Sequence, residues 1–473
     1  MRRTKIVATL GPASDPPETV AALLDAGADV FRLGLAHGTP EEHLARIERI
    51  RSVADERDRK VAVLCDLPGP KVRAGTFPEG GAFLAEGDEV ELVAGDGPSD
   101  ADRITVDEDG LTGVAGVGDT VVLGDGTVTL EVRAVDDEAV RAVVRSGGRL
   151  QGRPGVHLPS ERWAPAVPTD HDLALVDRVA RQADWVAVSF VRRADEIERV
   201  REALGADGPK VMAKIETRAA VDHLDELLDA ADGVMVARGD LGIDCAIEEV
   251  PQLQKRIIRA AARRGVPVVT ATQMLESMVT APAPTRAEVS DVANAVVDGT
   301  DALMLSAETA IGQHPVAAVR TMGRIALRAE QSDERLIAPE DRGRLRRREI
   351  TPEATAVAMA HAALRAASEL HLSAIVCCTR SGTTARAMAA LRPACRLIGA
   401  SPSPATARQL ALTWGVEPLE VGEYGSTDDM VWCVVEATVR RGLVKAGQSI
   451  AVLAGAPGSP AHGTDVLRIV TVQ

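Results

Sequence analysis

Val211-Met212-Ala213-Lys214-Ile215-Glu216 and, shortly after it, Gly233-Val234-Met235-Val236-Ala237-Arg238-Gly239-Asp240 decide the reading of this chain. Each is a short apolar run that ends abruptly in charge, as a strand does when its end reaches a polar site. In a barrel of parallel strands, such ends gather at the C-terminal mouth, where loop chemistry collects. Two carboxylates, Glu216 and Asp240, then make a hard-oxygen site suited to Mg2+, and two cations, Lys214 and Arg238, stand by to hold phosphate. A pair of strand-end salt bridges is the plainer alternative for these residues taken alone.

Outward from these two runs, six more of the same kind occur: Lys5–Thr9, Val30–Leu33, Val61–Asp66, Trp185–Ser189, Pro267–Thr270 and Ala302–Leu305. Most are followed by a helical pattern, and eight strand–helix units predict an α/β fold, a (β/α)8 TIM barrel. A doubly wound open sheet is the competing architecture. Residues 70–167 interrupt the series. They are rich in Gly, Asp and Val, with strand-like pieces at Glu89–Val93, Thr120–Leu123, Thr127–Val132 and Ala139–Val144, which predicts a small all-β, barrel-like domain inserted as a lid. The barrel is thus assigned to 1–69 and 168–335. A charged stretch from Gln331 to Glu349, with Arg344, Arg346, Arg347 and Arg348, reads as a solvated linker. Residues 350–473 then read as a C-terminal α/β domain, with strands near Ala374–Cys378, Arg396–Ala400, Ser449–Ala454 and Val466–Val472.

Composition narrows the class. A length of 473 residues implies two or three domains, and 45% hydrophobic residues supply ample core. Aromatic residues are 2% and the formal net charge is −15, which argues against nucleic-acid partners and anionic membranes. The six cysteines (65, 245, 377, 378, 395 and 433) include no CxxC pair and no His partner at metal spacing, so neither zinc nor a disulfide framework is expected. The N-terminus runs straight into a strand without an apolar leader, and no run approaches membrane-spanning length. The expectation is a cytoplasmic enzyme.

Strand ends supply the candidate side chains: Arg32, Asp66, Ser189, Lys214 with Glu216, Arg238 with Asp240, Thr272 with Gln273, and Ser306 with Glu308. Their one-sidedness exceeds what structural salt bridges require. Gly239-Asp240-Leu241-Gly242 offers backbone N–H groups and a helix start to an anion, although for the tetrapeptide taken alone a simple turn is the readier reading. Thr379-Arg380-Ser381-Gly382-Thr383-Thr384 follows a strand and opens a helix, which suits a phosphate or a plain N-capped turn.

Several of these segments resemble the signatures of the pyruvate kinase family. They are Arg3-Thr4-Lys5-Ile6-Val7-Ala8-Thr9-Leu10-Gly11-Pro12-Ala13-Ser14, Gly69-Pro70-Lys71-Val72-Arg73, Ala213-Lys214-Ile215-Glu216, Met235–Gly242, Thr270–Met278, Asp291–Gly299 and Leu305-Ser306-Ala307-Glu308-Thr309. They run in family order over essentially the whole chain. The resemblance implies phosphoryl transfer from phosphoenolpyruvate to ADP in glycolysis, giving pyruvate and ATP. It implies Mg2+, with Mn2+ as an alternative ion, held by Glu216 and Asp240. Lys214 would stabilise charge on the phosphoryl group and the enolate, and Arg32 would hold the same phosphate. Gly239, Asp240 and Thr272 would hold the substrate carboxylate, with Thr272 also on the route that protonates the enolate carbon. Arg73 and His37 would touch nucleotide phosphates. The resemblance also implies a homotetramer, and a phosphorylated allosteric effector at Thr379, Ser381, Gly382, Thr383 and Thr384.

Three departures stand out. Arg32-Leu33-Gly34-Leu35-Ala36-His37-Gly38 carries Gly34 and Ala36 where the family has an Asn and a Ser that help bind K+. Of that site Asp66 remains, with Leu67 in place of the usual Thr. Lys71 stands where K+-dependent members carry Glu, which implies a K+-independent enzyme with the Lys71 ammonium as the substitute cation. Pro154 replaces a basic nucleotide contact, for which Arg153 is the stand-in. Two other readings are a metal-dependent lyase acting on pyruvate or phosphoenolpyruvate, and a catalytically weakened paralogue serving as a metabolite sensor. Lys71, Arg73 and the inserted domain speak against the lyase, and Lys214, Glu216, Asp240 and Thr272 against the sensor.

Overall fold

Alternate residues of the first eight long strands belong to two different cores, and that alternation builds the molecule. In the computed structural model, the described residues are all except 125, 159–162, 164, 333–351, 424 and 456–462. Eight strands, β1 (Lys5–Thr9), β2 (Val30–Gly34), β3 (Ala62–Asp66), β4 (Trp185–Val188), β5 (Lys210–Ile215), β6 (Gly233–Ala237), β7 (Val268–Ala271) and β8 (Ala302–Leu305), close into a parallel barrel in sequence order. One residue set (Ile6, Phe31, Val63, Val186, Val211, Val234 and their like) packs outward against the helices. The other (Val7, Val30, Leu64, Trp185, Ala187, Met212, Met235, Val269) fills the barrel axis. Both faces of each strand are therefore buried, which is why these strands read as unbroken apolar runs. The (β/α)8 expectation is met, and the strand ends fall within one or two residues of those read from sequence.

The inserted segment forms a six-stranded sheet, mostly antiparallel, and a two-stranded ribbon. Its two edges, Arg103–Val106 and Val156–His157, are drawn together by isolated bridges, Ala74 to Val106 and Arg73 to Gly155. The sheet thus curls toward closure around its own core of Leu92, Ile104, Val121, Leu130 and neighbours. Strand pieces at Ala82–Leu84, Arg103–Val106, Gly148–Leu150 and Val156–His157 went unread in the sequence, being two to four residues long and bounded by Gly or Asp.

The C-terminal domain is a five-stranded sheet with a hydrophobic core on each face. Its strands are β9 (Ala374–Cys378), β10 (Arg396–Ser401), β11 (Val416–Glu420), β12 (Ser449–Ala454) and β13 (Val466–Thr471), in the order β11-β10-β9-β12-β13 with β13 antiparallel. β11 was not expected from sequence. The charged linker expected at 331–349 lies, from residue 333 onward, outside the described residues.

This domain stoppers the barrel. Ala411 and Leu412, just after the Pro404–Gln409 helix, are buried within the axial core at its N-terminal end. Trp185 Nε1 donates to the Gln409 carbonyl (3.1 Å). Beside it the buried Asp184 accepts from Arg51 Nη2 (2.6 Å), Arg408 Nε (2.8 Å) and the Val63 N–H (2.7 Å). A charge there is tolerable because each carboxylate oxygen is engaged by a guanidinium. Truncating the stopper leaves a cavity that a closed barrel fills poorly. Leu412→Ala should cost about 2–5 kcal/mol, seen as an earlier unfolding midpoint in urea; a midpoint unchanged from wild type would show that Leu412 is not part of the barrel core.

Candidate active site

Parity along the strands places the candidate side chains. Each sits two residues beyond an axial core residue on the same face: Arg32 after Val30, Asp66 after Leu64, Ser189 after Ala187, Lys214 after Met212. The barrel register then brings them together at the mouth. Lys214 Nζ lies 2.8 Å from Glu216 Oε1, 3.3 Å from Asp66 Oδ1 and 2.7 Å from Ser189 Oγ. Arg32 Nε lies 2.7 Å from Asp66 Oδ2, with Nη1 on Thr9 Oγ1 (3.2 Å). Glu216 is 1% exposed, and its Oε2 accepts the Phe190 N–H (2.7 Å).

The electrostatics follow from burial and from who faces whom. Burial works to lower the Lys214 pKa, but Asp66, Glu216 and Asp240 outweigh it and hold the ammonium above its usual range. Burial likewise works to raise Asp66, yet Lys214 and Arg32 keep it below the usual carboxylate range. At Glu216 burial wins: with Asp240 and Asp66 adding repulsion, it pushes the carboxyl up to about 7 against the pull of Lys214. Glu216 Oε1, although close to Lys214, has no hydrogen-bond donor aligned on it and is fully buried. A buried, reluctantly ionised carboxylate that feels the Asp240 charge and has Lys214 as its one cation is what a divalent cation would relieve, so the residues fit Mg2+. Among the described residues no group of three or more His, Cys, Asp or Glu converges on one point. This suits an ion held by one or two carboxylates together with substrate oxygens.

Thr272 and Gln273 follow β7 with positive φ (66° and 52°), a conformation that costs non-Gly residues energy and needs support. Arg238 gives that support. Its Nη2 donates to the Thr272 carbonyl (2.6 Å), its Nε to Ala271 O (3.2 Å), and its Nη1 to Asp291 (2.7 Å). The sequence reading of Arg238 as a phosphate-holding cation is therefore corrected: its donors are spent on the backbone of 271–272 and on Asp291. Thr272 Oγ1 accepts the Gly239 N–H (2.8 Å), so the residues Gly239, Asp240 and Thr272 meet where the Arg238–Asp244 helix begins. Glu308 is also structural, accepting from the Leu275 (3.1 Å) and Ser306 (2.7 Å) N–H groups.

His37 is exposed, and partial burial with Arg73, Lys71 and Arg32 around it lowers its pKa, leaving a neutral imidazole at pH 7. Arg73 Nη1 donates to the Arg153 carbonyl (3.3 Å), and Arg153 Nη2 pairs with Asp107 (3.3 Å). Lys71 is exposed and has no ion-pair partner among the described residues; it does not contact Asp66, whose partners are Arg32, Lys214 and Ser189. Between the inserted domain and the mouth lies a cavity of about 60 Å³ touching Lys71, Phe190, Thr217 and Asp240. That is below the size of ordinary ligand pockets.

In the C-terminal domain, the Ser381 and Thr383 hydroxyls are 3.0 Å apart at the exposed start of the Thr383–Ala390 helix. Thr379 Oγ1 caps the Gly382 N–H (2.9 Å), and Thr384 turns inward to Thr464 (2.6 Å). Phe190 was missed from sequence. It holds φ of 57° so that its N–H reaches Glu216, and nothing in its side chain signals that role.

With that geometry in place, comparison with known proteins identifies the family. The description "Pyruvate kinase, barrel domain" matches residues 1–319, and "Pyruvate kinase, alpha/beta domain" matches residues 357–470. The chain belongs to the pyruvate kinase family. The pyruvate kinase of Geobacillus stearothermophilus is 42% identical over 100% of this chain and 81% of its own length. That of Methylorubrum extorquens is 41% identical over 100% and 98%, and that of Staphylococcus aureus MRSA252 39% identical over 99% and 80%. The chain is thus a phosphotransferase, and the lyase and sensor readings find no support. No described helix is long and apolar enough to cross a membrane.

If Arg238 acts by holding the Thr272 turn, Arg238→Ala should lower kcat about 10- to 100-fold, in line with a small misplacement of reacting groups. Loss confined to the phosphate-donor KM, with kcat intact, would return Arg238 to a direct ligand role.

Proposed function

We propose that the barrel mouth transfers the phosphoryl group of phosphoenolpyruvate to ADP, giving pyruvate and ATP. One observation carries the reading: Lys214 is a permanently charged, buried ammonium set between Asp66 and Glu216 at the mouth. Phosphoryl transfer asks mainly for positioning and for charge fixed where charge develops. Lys214 and Arg32 meet the transferring phosphoryl group, and Lys214 also stabilises the enolate oxygen. Glu216 and Asp240 would hold Mg2+, and the ion when bound would supply Lewis-acid charge to the reacting oxygens. The Gly239 and Asp240 amides with the Thr272 hydroxyl take the carboxylate, and Thr272 lies on the path that protonates the enolate carbon. The Gly239 N–H now rests on Thr272 Oγ1, so substrate replaces an internal bond. Arg73, His37 and Arg153 receive the nucleotide phosphates.

In this reading 1–69 and 168–335 carry the chemistry, 70–167 is the lid, and 350–473 is regulatory. The exposed Ser381 and Thr383 hydroxyls, with Thr379, Gly382 and Thr384 shaping the turn, receive the phosphate of an allosteric effector. The functional unit is a homotetramer. The free thiols and the nucleotide substrate fit a cytoplasmic setting.

The proposal extends to monovalent cations: the enzyme works without K+. Gly34 and Ala36 offer no side-chain oxygen, and both Asp66 oxygens are engaged by Arg32 and Lys214. Lys71, uncommitted on the same rim, supplies the charge through space rather than by pairing with Asp66.

Pyruvate formation from phosphoenolpyruvate, ADP and Mg2+ in K+-free buffer tests both parts. Wild type should turn over without K+, and Lys214→Met should lose several orders of magnitude while remaining folded. Near-wild-type turnover in Lys214→Met contradicts the site assignment, and a strict K+ requirement discards the Lys71 argument alone.

A further inference from the structure

One arginine holds the inserted domain to the wall of the barrel mouth. Arg192 follows Ser189 and Phe190 on the turn that leaves β4, and it borders the cavity between that domain and the mouth. Its Nη2 donates to the Pro165 carbonyl (2.6 Å), where the chain returns from the inserted domain to the barrel. The same Nη2 reaches Glu196 Oε1 (2.7 Å), with Nε on that oxygen as well (3.1 Å). Glu196 is itself fixed. It is 7% exposed, and its other oxygen accepts the Arg192 (2.5 Å) and Arg193 (3.1 Å) N–H groups at the start of the Ala194–Leu204 helix. A single guanidinium thus clamps the domain root, the helix start and the turn between them. The same turn serves the site from its other side: Ser189 Oγ accepts from Lys214 Nζ (2.7 Å), and Phe190, at φ of 57°, donates its N–H to Glu216 Oε2 (2.7 Å).

Taking Glu216 and Asp240 as the metal ligands assigned above, we infer that Arg192 is a positioning residue through which the seating of the inserted domain sets the affinity of Glu216 for a divalent cation. A non-Gly residue keeps a positive φ only while its surroundings over-determine it. Phe190 is bounded by Gly69 on one side and by the Arg192 clamp on the other. Without the clamp, Phe190 relaxes toward ordinary φ and withdraws its N–H. Glu216 Oε2 then loses the bond that orients the carboxylate, an outer contact of the kind that tunes a metal ligand. An ammonium cannot replace the clamp, because it is a point charge where the guanidinium is a fork that reaches carbonyl and carboxylate together. Arg199 provides the contrast. Its Nη1 donates to the Val167 carbonyl (3.0 Å), so it holds the same root, but from within the helix rather than from the turn that serves Glu216.

The test compares full-length wild type, Arg192→Lys and Arg199→Lys by two readouts. One is hydrogen exchange at the Phe190 amide without metal, and the other is Mn2+ affinity, read from loss of the free-ion electron paramagnetic resonance signal. Arg192→Lys should exchange at Phe190 about tenfold faster and bind Mn2+ about tenfold more weakly. Arg199→Lys should match wild type in both. If Arg192→Lys does not fold, Glu196→Gln frees the guanidinium while keeping a capping oxygen, and the same two shifts are expected of it. Unchanged exchange, unchanged affinity, or equal shifts in Arg199→Lys overturns the proposal. Neither readout requires turnover. Wild type that binds Mn2+ but forms no ATP would remove the proposed reaction and leave the coupling standing, whereas wild type that binds no Mn2+ would remove the metal site and the coupling with it.

Discussion

The site depends on one buried ammonium. Lys214 is held between two buried carboxylates, Asp66 and Glu216, and its charge is what lets Asp66 stay ionised at the barrel mouth. Desolvating each such ion costs on the order of several kcal/mol, recovered only where geometry is close and remaining donors are satisfied. Asp66 meets that condition with Arg32, Lys214 and Ser189 around it. Glu216 does not, and the incompleteness is useful. A carboxylate that holds its proton to near neutrality, beside Asp240, is a place where a divalent cation improves the site rather than crowding it.

The rest of the molecule keeps that cluster in register. Inner-face parity on β2 to β5 sets Arg32, Asp66, Ser189 and Lys214 at one level, while Trp185 and Leu412 fill the axis from below. The C-terminal domain is thus part of the barrel's core as well as a neighbour of it. Its anchor on Asp184 and Trp185 sits at the start of β4, and the end of the same strand leads into Ser189 and Phe190, which touch Lys214 and Glu216. Gly69, with φ of 66°, has the Ser189 Cβ and the Phe190 ring within about 3 Å of where a Cβ would stand, so the root of the inserted domain presses on the same two residues. Both flanking domains therefore converge on one strand.

Much of this was legible in the sequence because burial on both faces makes barrel strands stand out as apolar runs, and because a charge at the end of such a run has few places to go. The inward direction of Lys214 and Asp66 follows from period 2 alone. What failed was orientation and edge structure. Arg238 ends a strand as Lys214 does, yet it begins a helix and turns to the carbonyls of 271–273, a choice set by tertiary acceptors. β11, Val-Glu-Pro-Leu-Glu, is an edge strand with a proline and two acids, so it lacks the apolar signature of its neighbours. Phe190 contributes a backbone N–H, which sequence cannot distinguish from any other. Asp66, read as the one remaining ligand of the monovalent-cation site, has both carboxylate oxygens taken by Arg32 and Lys214, which are distant in sequence.

The central claim is that Glu216 waits for its metal in a partly protonated state. Calorimetric titration of Mg2+ into the apoenzyme, in buffers of different ionisation heat, counts the protons released on binding. Burial raises the Glu216 pKa, so it keeps its proton to higher pH than an ordinary glutamate; release should be larger at pH 6 than at pH 8 and should vanish in Glu216→Gln. Metal binding with no proton release at pH 6 would contradict the account and make Glu216 an ordinary, fully ionised ligand.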